Sequence, residues 1–132
     1  MTKKIKVLIA VGGTGGHVFP GYNLAKYLIN ENFQVELVTD KRGYKYLENF
    51  KKIRINILPS KPLIKKNIFL LLSSLVFVSY SFFRSFIYLI LKRPKVVFGM
   101  GGYASFPTCL AARMLGIKLI IYENNLIIGK AN

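Results

Sequence analysis

Acidic side chains are scarce in this chain: five Asp and Glu stand against 20 Lys and Arg, a formal net charge of +15 over 132 residues. Cysteine and histidine occur once each, as Cys109 and His17. One cysteine excludes an internal disulfide, and one cysteine with one histidine excludes a zinc finger. Cys109, beside Thr108 in an apolar stretch, reads as a small core residue rather than a nucleophile. No Gly-Lys-Ser/Thr follows the first glycine cluster, which excludes a Walker-type phosphate loop. Helix-turn-helix spacing and interleaved aromatic and basic recognition residues are missing too, so the pI near 10.1 stands without a nucleic-acid reader, and no nucleic-acid partner is expected. Lys3, Lys4 and Lys6 precede only the short run Val7 to Val11, less than the apolar core of a secretion signal. There is no internal repeat and no low-complexity linker, and the length suits a single domain.

Apolar content is plentiful. Hydrophobic residues make up 52% and mean hydropathy is +0.37, an uncommon partner for so much positive charge, and the pairing suggests an anionic membrane surface. Lys4–Val11 runs without alternation, as a parallel strand does when both its faces are covered. Pro20 and Gly21 open a helix to about Asn32, Gln34–Thr39 is a second strand, and a short helix lies near Tyr44–Phe50. Ile53–Leu58 is a third strand, Ile68–Leu91 a long apolar helix, Val96–Gly99 a fourth strand, Pro107–Leu115 a helix and Lys118–Tyr122 a fifth strand. This alternation predicts an α/β fold, a Rossmann-like parallel sheet with helices on both faces and strand order 3-2-1-4-5.

In that order strands 1 and 4 are neighbours at the switch point, where ligands bind beyond the carboxyl ends of the strands. Each of these two strands runs into a glycine cluster, Gly12-Gly13-Thr14-Gly15-Gly16-His17 and Gly99-Met100-Gly101-Gly102-Tyr103. Glycine bares the main chain, and the helix that follows presents unpaired N–H groups to an anion. The two loops together predict one site for a phosphate-bearing ligand. The dinucleotide fingerprint fails at its third glycine, although Asp40 falls where a ribose-binding acid would sit. His17 stands where the first loop meets its helix, either as a general base or as a hydrogen-bonding residue of the loop or of a phosphate.

The segment Gly12–Gly21, the segment Gly99–Pro107, and Glu123-Asn124-Asn125 followed by Gly129 and Asn132 together resemble the signature segments of the family 28 glycosyltransferases. The members it resembles move N-acetylglucosamine from UDP-N-acetylglucosamine onto lipid I, the undecaprenyl-diphosphate-linked muramyl pentapeptide, in peptidoglycan synthesis, and the resemblance implies that reaction here. The resemblance covers the chain from end to end and implies the N-terminal, acceptor-binding half of a two-domain GT-B fold, stopping short of that domain's end. It implies an inverting hexosyl transfer with no cofactor and no required metal, completed by a donor-binding half on the same or a separate polypeptide. His17 matches the family's candidate base. Thr14, Gly15, Gly16 and Asn125 match donor-side positions, and Gly101, Gly102, Tyr103 and Ser105 match the loop assigned to the acceptor diphosphate. Glu123 and Asn132 are candidate orienting residues. Tyr122-Glu123-Asn124-Asn125 departs from the family's common His-Glu-Gln-Asn but keeps the acid and the last asparagine.

Ile68–Leu91 carries Arg84 as its only charge and is long enough to cross a bilayer of roughly 30 Å hydrocarbon thickness. Ser74, Ser81, Arg84, Ser85 and Tyr88 nevertheless form a narrow polar stripe, and the helix must connect strands 3 and 4 of one sheet. The expectation is a crossover helix with excess apolar surface toward lipid. Lys41 through Lys66 holds nine Lys and Arg against one acid, Glu48, and Lys92, Arg93 and Lys95 follow the helix. Together these features point to peripheral binding at an anionic membrane surface, and the family resemblance implies the cytoplasmic face of the bacterial inner membrane.

Overall fold

The structure, a computed structural model, describes residues 3–50, 52–61 and 66–123. Five parallel strands form one sheet in the order β3-β2-β1-β4-β5, with β1 at Lys6–Ala10, β2 at Gln34–Thr39, β3 at Arg54–Ile57, β4 at Val96–Gly99 and β5 at Lys118–Ile121. The expected order holds. Leu8 sits between Glu36 on one side and Val97 on the other, so β1 is hydrogen-bonded along both edges. Its Ile9 and Ala10 are wholly buried.

Helices cover both faces. On one, α1 (Gly15–Asn30) and α2 (Lys41–Leu47) pack over Ile9, Val11, Leu37 and Val35 through Val18, Ala25 and Leu47. On the other, α3 (Ile68–Lys92) and α4 (Phe106–Met114) cover Leu8, Val38 and Val97 through Leu89, Ala111 and Ala112. Each large apolar side chain buried in these layers contributes about 1.5–3 kcal/mol.

Two helix starts differ from the sequence reading. α1 begins at Gly15 and not at Pro20, because the Thr14 carbonyl accepts the N–H groups of both His17 and Val18 at 3.0 Å and so starts the helix inside the glycine loop. Pro20 then sits inside the helix, where it donates no bond to the Gly16 carbonyl. α2 begins at Lys41 and not at Tyr44, because Asp40 caps it, its carboxylate accepting from Arg42 N at 3.0 Å and Gly43 N at 2.9 Å. The long helix carries excess apolar surface on its outer face, as expected. Its buried face is Ser74, Ser81, Ser85 and Leu89, while Phe69, Val76, Phe83 and Leu91 are each more than 60% exposed. Arg84 leaves the stripe and points outward beside Tyr80.

Candidate functional site

The ladder continues one residue past β1 and β4. Val11 N–H donates to the Val38 carbonyl at 2.9 Å and Met100 N–H to the Ala10 carbonyl at 2.8 Å. Both glycine loops therefore leave the carboxyl edge side by side, and they touch. A side-chain carbon at Gly12 would lie 2.7 Å from the Gly101 carbonyl oxygen, and one at Gly102 would lie 2.8 Å from Gly12 Cα. Gly101 and Gly102 have φ of 86° and 83°, where a Cβ is costly.

The imidazole of His17, the third residue of α1, lies in the crease between the loops. Its Cδ2 is 2.9 Å from where a Cβ at Gly12 would be and 3.2 Å from one at Gly102, with Nε2 at 3.5 Å from the latter. The ring fills the space both glycines leave. Its Nδ1 is buried and has no hydrogen-bond partner among the described residues, an uncommon condition for a ring nitrogen. The Thr14 side chain makes no cap bond, so the N–H groups of Gly15 and Gly16 begin α1 without intrahelical acceptors.

Not every glycine of the first loop bares the chain to a ligand. Gly12 makes room for the second loop, and at Gly13 a Cβ would strike the Asp40 carboxylate at 2.7 Å and Arg42 Nε at 2.9 Å. At Gly15 it would meet the Phe19 ring at 3.2 Å, and that ring packs edge-on against Tyr46. Gly16 has nothing within 4 Å of its Cβ position and is the loop glycine that faces open space.

In the second loop Ser105 is buried, and both its hydroxyl and its N–H donate to the Gly102 carbonyl, at 2.9 and 3.2 Å. Ser105 thus shapes the loop that Tyr103, 40% exposed, overhangs. Thr14 is exposed. Glu123, partly buried, follows β5 at the same edge, where Tyr122 N–H reaches the Gly99 carbonyl at 2.8 Å. Asn125 and Asn132 lie outside the described residues.

Asp40 is not available to a ribose. Its carboxylate already accepts from Arg42 N, Gly43 N, Arg42 Nε, an Arg42 Nη and Ser60 Oγ. Burial by itself raises this carboxyl, but the bonds from Ser60, Gly43 and Arg42 and the Arg42 charge outweigh burial and hold it below the ordinary aspartate range. Sequence reasoning missed the Asp40–Arg42 pair, although an Asp closing a strand just before a helical segment is an N-cap signal. Cys109 packs against Gly99, and burial pushes its thiol up to about 11 against a lowering hydrogen bond with Ser105, which keeps it protonated and inert.

Fold and edge define a class: a mononucleotide-type half in which two glycine loops, a helix N-terminus and a lone histidine meet at the switch point of a parallel sheet. The family model for the glycosyltransferase family 28 N-terminal domain matches residues 7–132. The chain belongs to that family. It is 41% identical over its whole length to a UDP-N-acetylglucosamine--N-acetylmuramyl-(pentapeptide) pyrophosphoryl-undecaprenol N-acetylglucosamine transferase of Rhizobium leguminosarum bv. trifolii, of which it covers 35%. It superimposes on the MurG crystal structure from Acinetobacter baumannii with a TM-score of 0.80 at 29% identity, covering 97% of this chain and 38% of that one. The Streptomyces glycosyltransferase SsfS6 matches at a TM-score of 0.64 and 16% identity over 89% of this chain and 38% of its own, a likeness of fold alone. The chain spans about a third of the length of the curated relatives it matches.

Proposed function

We propose that this chain is the acceptor-binding N-terminal domain of an inverting hexosyltransferase that moves N-acetylglucosamine from UDP-N-acetylglucosamine to the muramyl sugar of lipid I. The convergence of His17 with both glycine loops, in a chain of family 28, carries this reading. His17 acts as the base that removes the proton from the C4 hydroxyl of the muramyl sugar. The oxygen attacks C1 of the donor sugar from the face opposite the nucleotide, the C1–O bond to the diphosphate breaks, and UDP departs with that bond's electron pair. Gly101, Gly102 and Tyr103 receive the acceptor diphosphate on a loop that Ser105 holds in shape. Thr14, Gly15, Gly16 and Asn125 serve the donor, while Glu123 and Asn132 serve as orienting residues. The remaining donor contacts come from a second domain, on the same or another polypeptide.

The acceptor is membrane-borne, and α3 supplies the membrane surface. At 1.5 Å per residue its 25 residues run about 37 Å, against about 16 Å for the five residues of β1. Leu89 packs over Leu8 and Val97 in mid-sheet, so the first half of the helix extends past the carboxyl edge, the end that bears the glycine loops. Its exposed Phe69, Leu72 and Val76 enter the interface of the anionic cytoplasmic leaflet, with Lys61, stacked over Phe77 at 4.0 Å, and Lys66 at the phosphate level.

Transfer of labelled N-acetylglucosamine to a lipid I analogue, with and without a supplied donor-binding domain, tests the assignment. Turnover is expected only with that domain. Robust turnover by the 132-residue chain alone overturns the half-site reading.

A further inference from the structure

The Asp40–Arg42 pair is the charged group at the glycine-loop edge that the reaction above leaves unused. Asp40 is 3% exposed, yet it lies at the carboxyl end of β2, where the sheet meets the first loop. Its Oδ1 is occupied by the backbone N–H groups of Arg42 and Gly43. Its Oδ2 takes Ser60 Oγ at 2.7 Å together with Arg42 Nε at 2.9 Å and Nη2 at 2.7 Å, a side-on grip that fixes the plane of the guanidinium.

That grip uses two of the five guanidinium N–H groups and leaves three. The Arg42 side chain is 52% exposed, and an ion pair this open adds little to stability. The first loop is nonetheless built around it. A Cβ at Gly13 would collide with both partners, and one at Gly43 would lie 2.0 Å from Thr39 Oγ1 and 3.0 Å from the Gly12 carbonyl, so glycines on both segments bring the pair against the loop. A few residues on are the uncapped N–H groups of Gly15 and Gly16 and the open space at Gly16. A planar cation held from behind by a buried carboxylate, with free N–H groups beside bare backbone donors, is matched to a phosphate.

We propose that Arg42 is a phosphate-contacting residue of this site and that Asp40 is the residue that aims it, an inference that rests on phosphate binding at the glycine loops as proposed above. The phosphate belongs either to the sugar nucleotide or to the lipid diphosphate, and the shared chemistry is a diphosphate laid along Gly15, Gly16 and the guanidinium. Asp40 makes no contact with it. By saturating one side of Arg42 it forbids the rotamers that would carry the charge out into solvent.

The test is residue-resolved NMR of the 132-residue chain, following the backbone amides of Gly15 and Gly16 and the Arg42 Nε–H during titration with inorganic pyrophosphate, UDP and farnesyl diphosphate in detergent. Pyrophosphate is expected to shift all three groups together. Arg42→Gln is expected to weaken binding about 10- to 100-fold, the usual effect of losing a hydrogen bond to a charged group, and Arg42→Lys to restore part of it. Asp40→Asn keeps the cap oxygen but releases the guanidinium, so it should weaken binding less than Arg42→Gln while broadening the Nε–H signal. The larger Nε–H shift, with UDP or with farnesyl diphosphate, assigns the phosphate to donor or acceptor. If Gly15 and Gly16 shift while Arg42 Nε–H does not, and Arg42→Gln binds as wild type does, the proposal is wrong and the glycine-loop site stands. If no probe moves any of the three, both are wrong.

Discussion

Single residues at the loop edge divide into those that face open space and those that make room for other parts of the protein, and substitution separates them. In an enzyme completed by its donor domain, His17→Ala is expected to lower kcat by roughly 10²–10⁴-fold with acceptor KM changed much less; a loss confined to KM would make His17 a binding residue. Gly16→Val points its side chain into open space, so it should abolish transfer while the melting temperature stays near wild type. Gly12→Val drives carbon into the Gly101 carbonyl and the His17 ring and should unfold the edge itself, which circular dichroism would register. Asp40 gives a pH signature. Its carboxyl is held below the ordinary aspartate value of about 3.9, so the stability it contributes is complete above that value and is lost as pH falls through the lower folded one. Asp40→Asn should therefore lose less stability than wild type over that acid window in urea titrations. That the two glycine clusters leave the same sheet edge was legible from their place after strands 1 and 4. Which glycine faces open space was not, because Gly12 and Gly13 are bare for contacts with residues 89 and 27 positions away in the chain, Gly101 and Asp40.

Among the elements, α3 buries a row of serines and leaves much of its apolar surface outside. Its serines face inward because small side chains let it approach its neighbours closely: Ser85 Oγ and Thr108 Oγ1 lie 3.0 Å apart between α3 and α4, and the Ser81 hydroxyl donates to the Pro59 carbonyl. Tyr88 ties the helix down further, its hydroxyl donating to the Glu36 carboxylate and accepting from Asn56 Nδ2 at 2.7 Å. Ser85→Leu overfills this contact and should cost about 1–3 kcal/mol in urea unfolding. Phe69→Ser and Val76→Ser on the outer face should leave unfolding within about 0.5 kcal/mol. Each should nevertheless weaken vesicle binding by up to about 1.5–3 kcal/mol, measured by co-sedimentation. The three- and four-residue spacing of polar residues was visible beforehand. Which residues the helix buries was not: the serines turn inward against α4 and Pro59, and Phe82 and Phe86 pack beside Leu89 while Phe69 and Phe83 stay outside.

At the scale of the molecule, net charge and the exposed helix act together. Binding to vesicles should require anionic lipid and weaken as salt rises, because charges exposed to solvent are screened beyond about 8 Å at physiological ionic strength. Removing Lys61 and Lys66 should release much of the protein. A chain that stays bound through high salt and carbonate washing, and is cut by protease from the outer face, would make α3 a spanning helix and the peripheral placement wrong.

The sequence by itself determined the strand order, the switch point between β1 and β4 and the family, because these rest on local patterns: unbroken apolar runs, glycine clusters at strand ends and helices between them. Tertiary structure decided what each pattern is for. Asp40, in the position of a ribose-binding acid, became a helix cap gripping Arg42 once β2, α2 and the residue Ser60 closed around it. His17 became the residue joining two loops because parallel pairing of β1 and β4 sets Gly12 against Gly102. Such outcomes depend on contacts across dozens of residues, and the free energy of a buried charge or a close backbone approach is settled by the partner on the other side, which no local spacing contains.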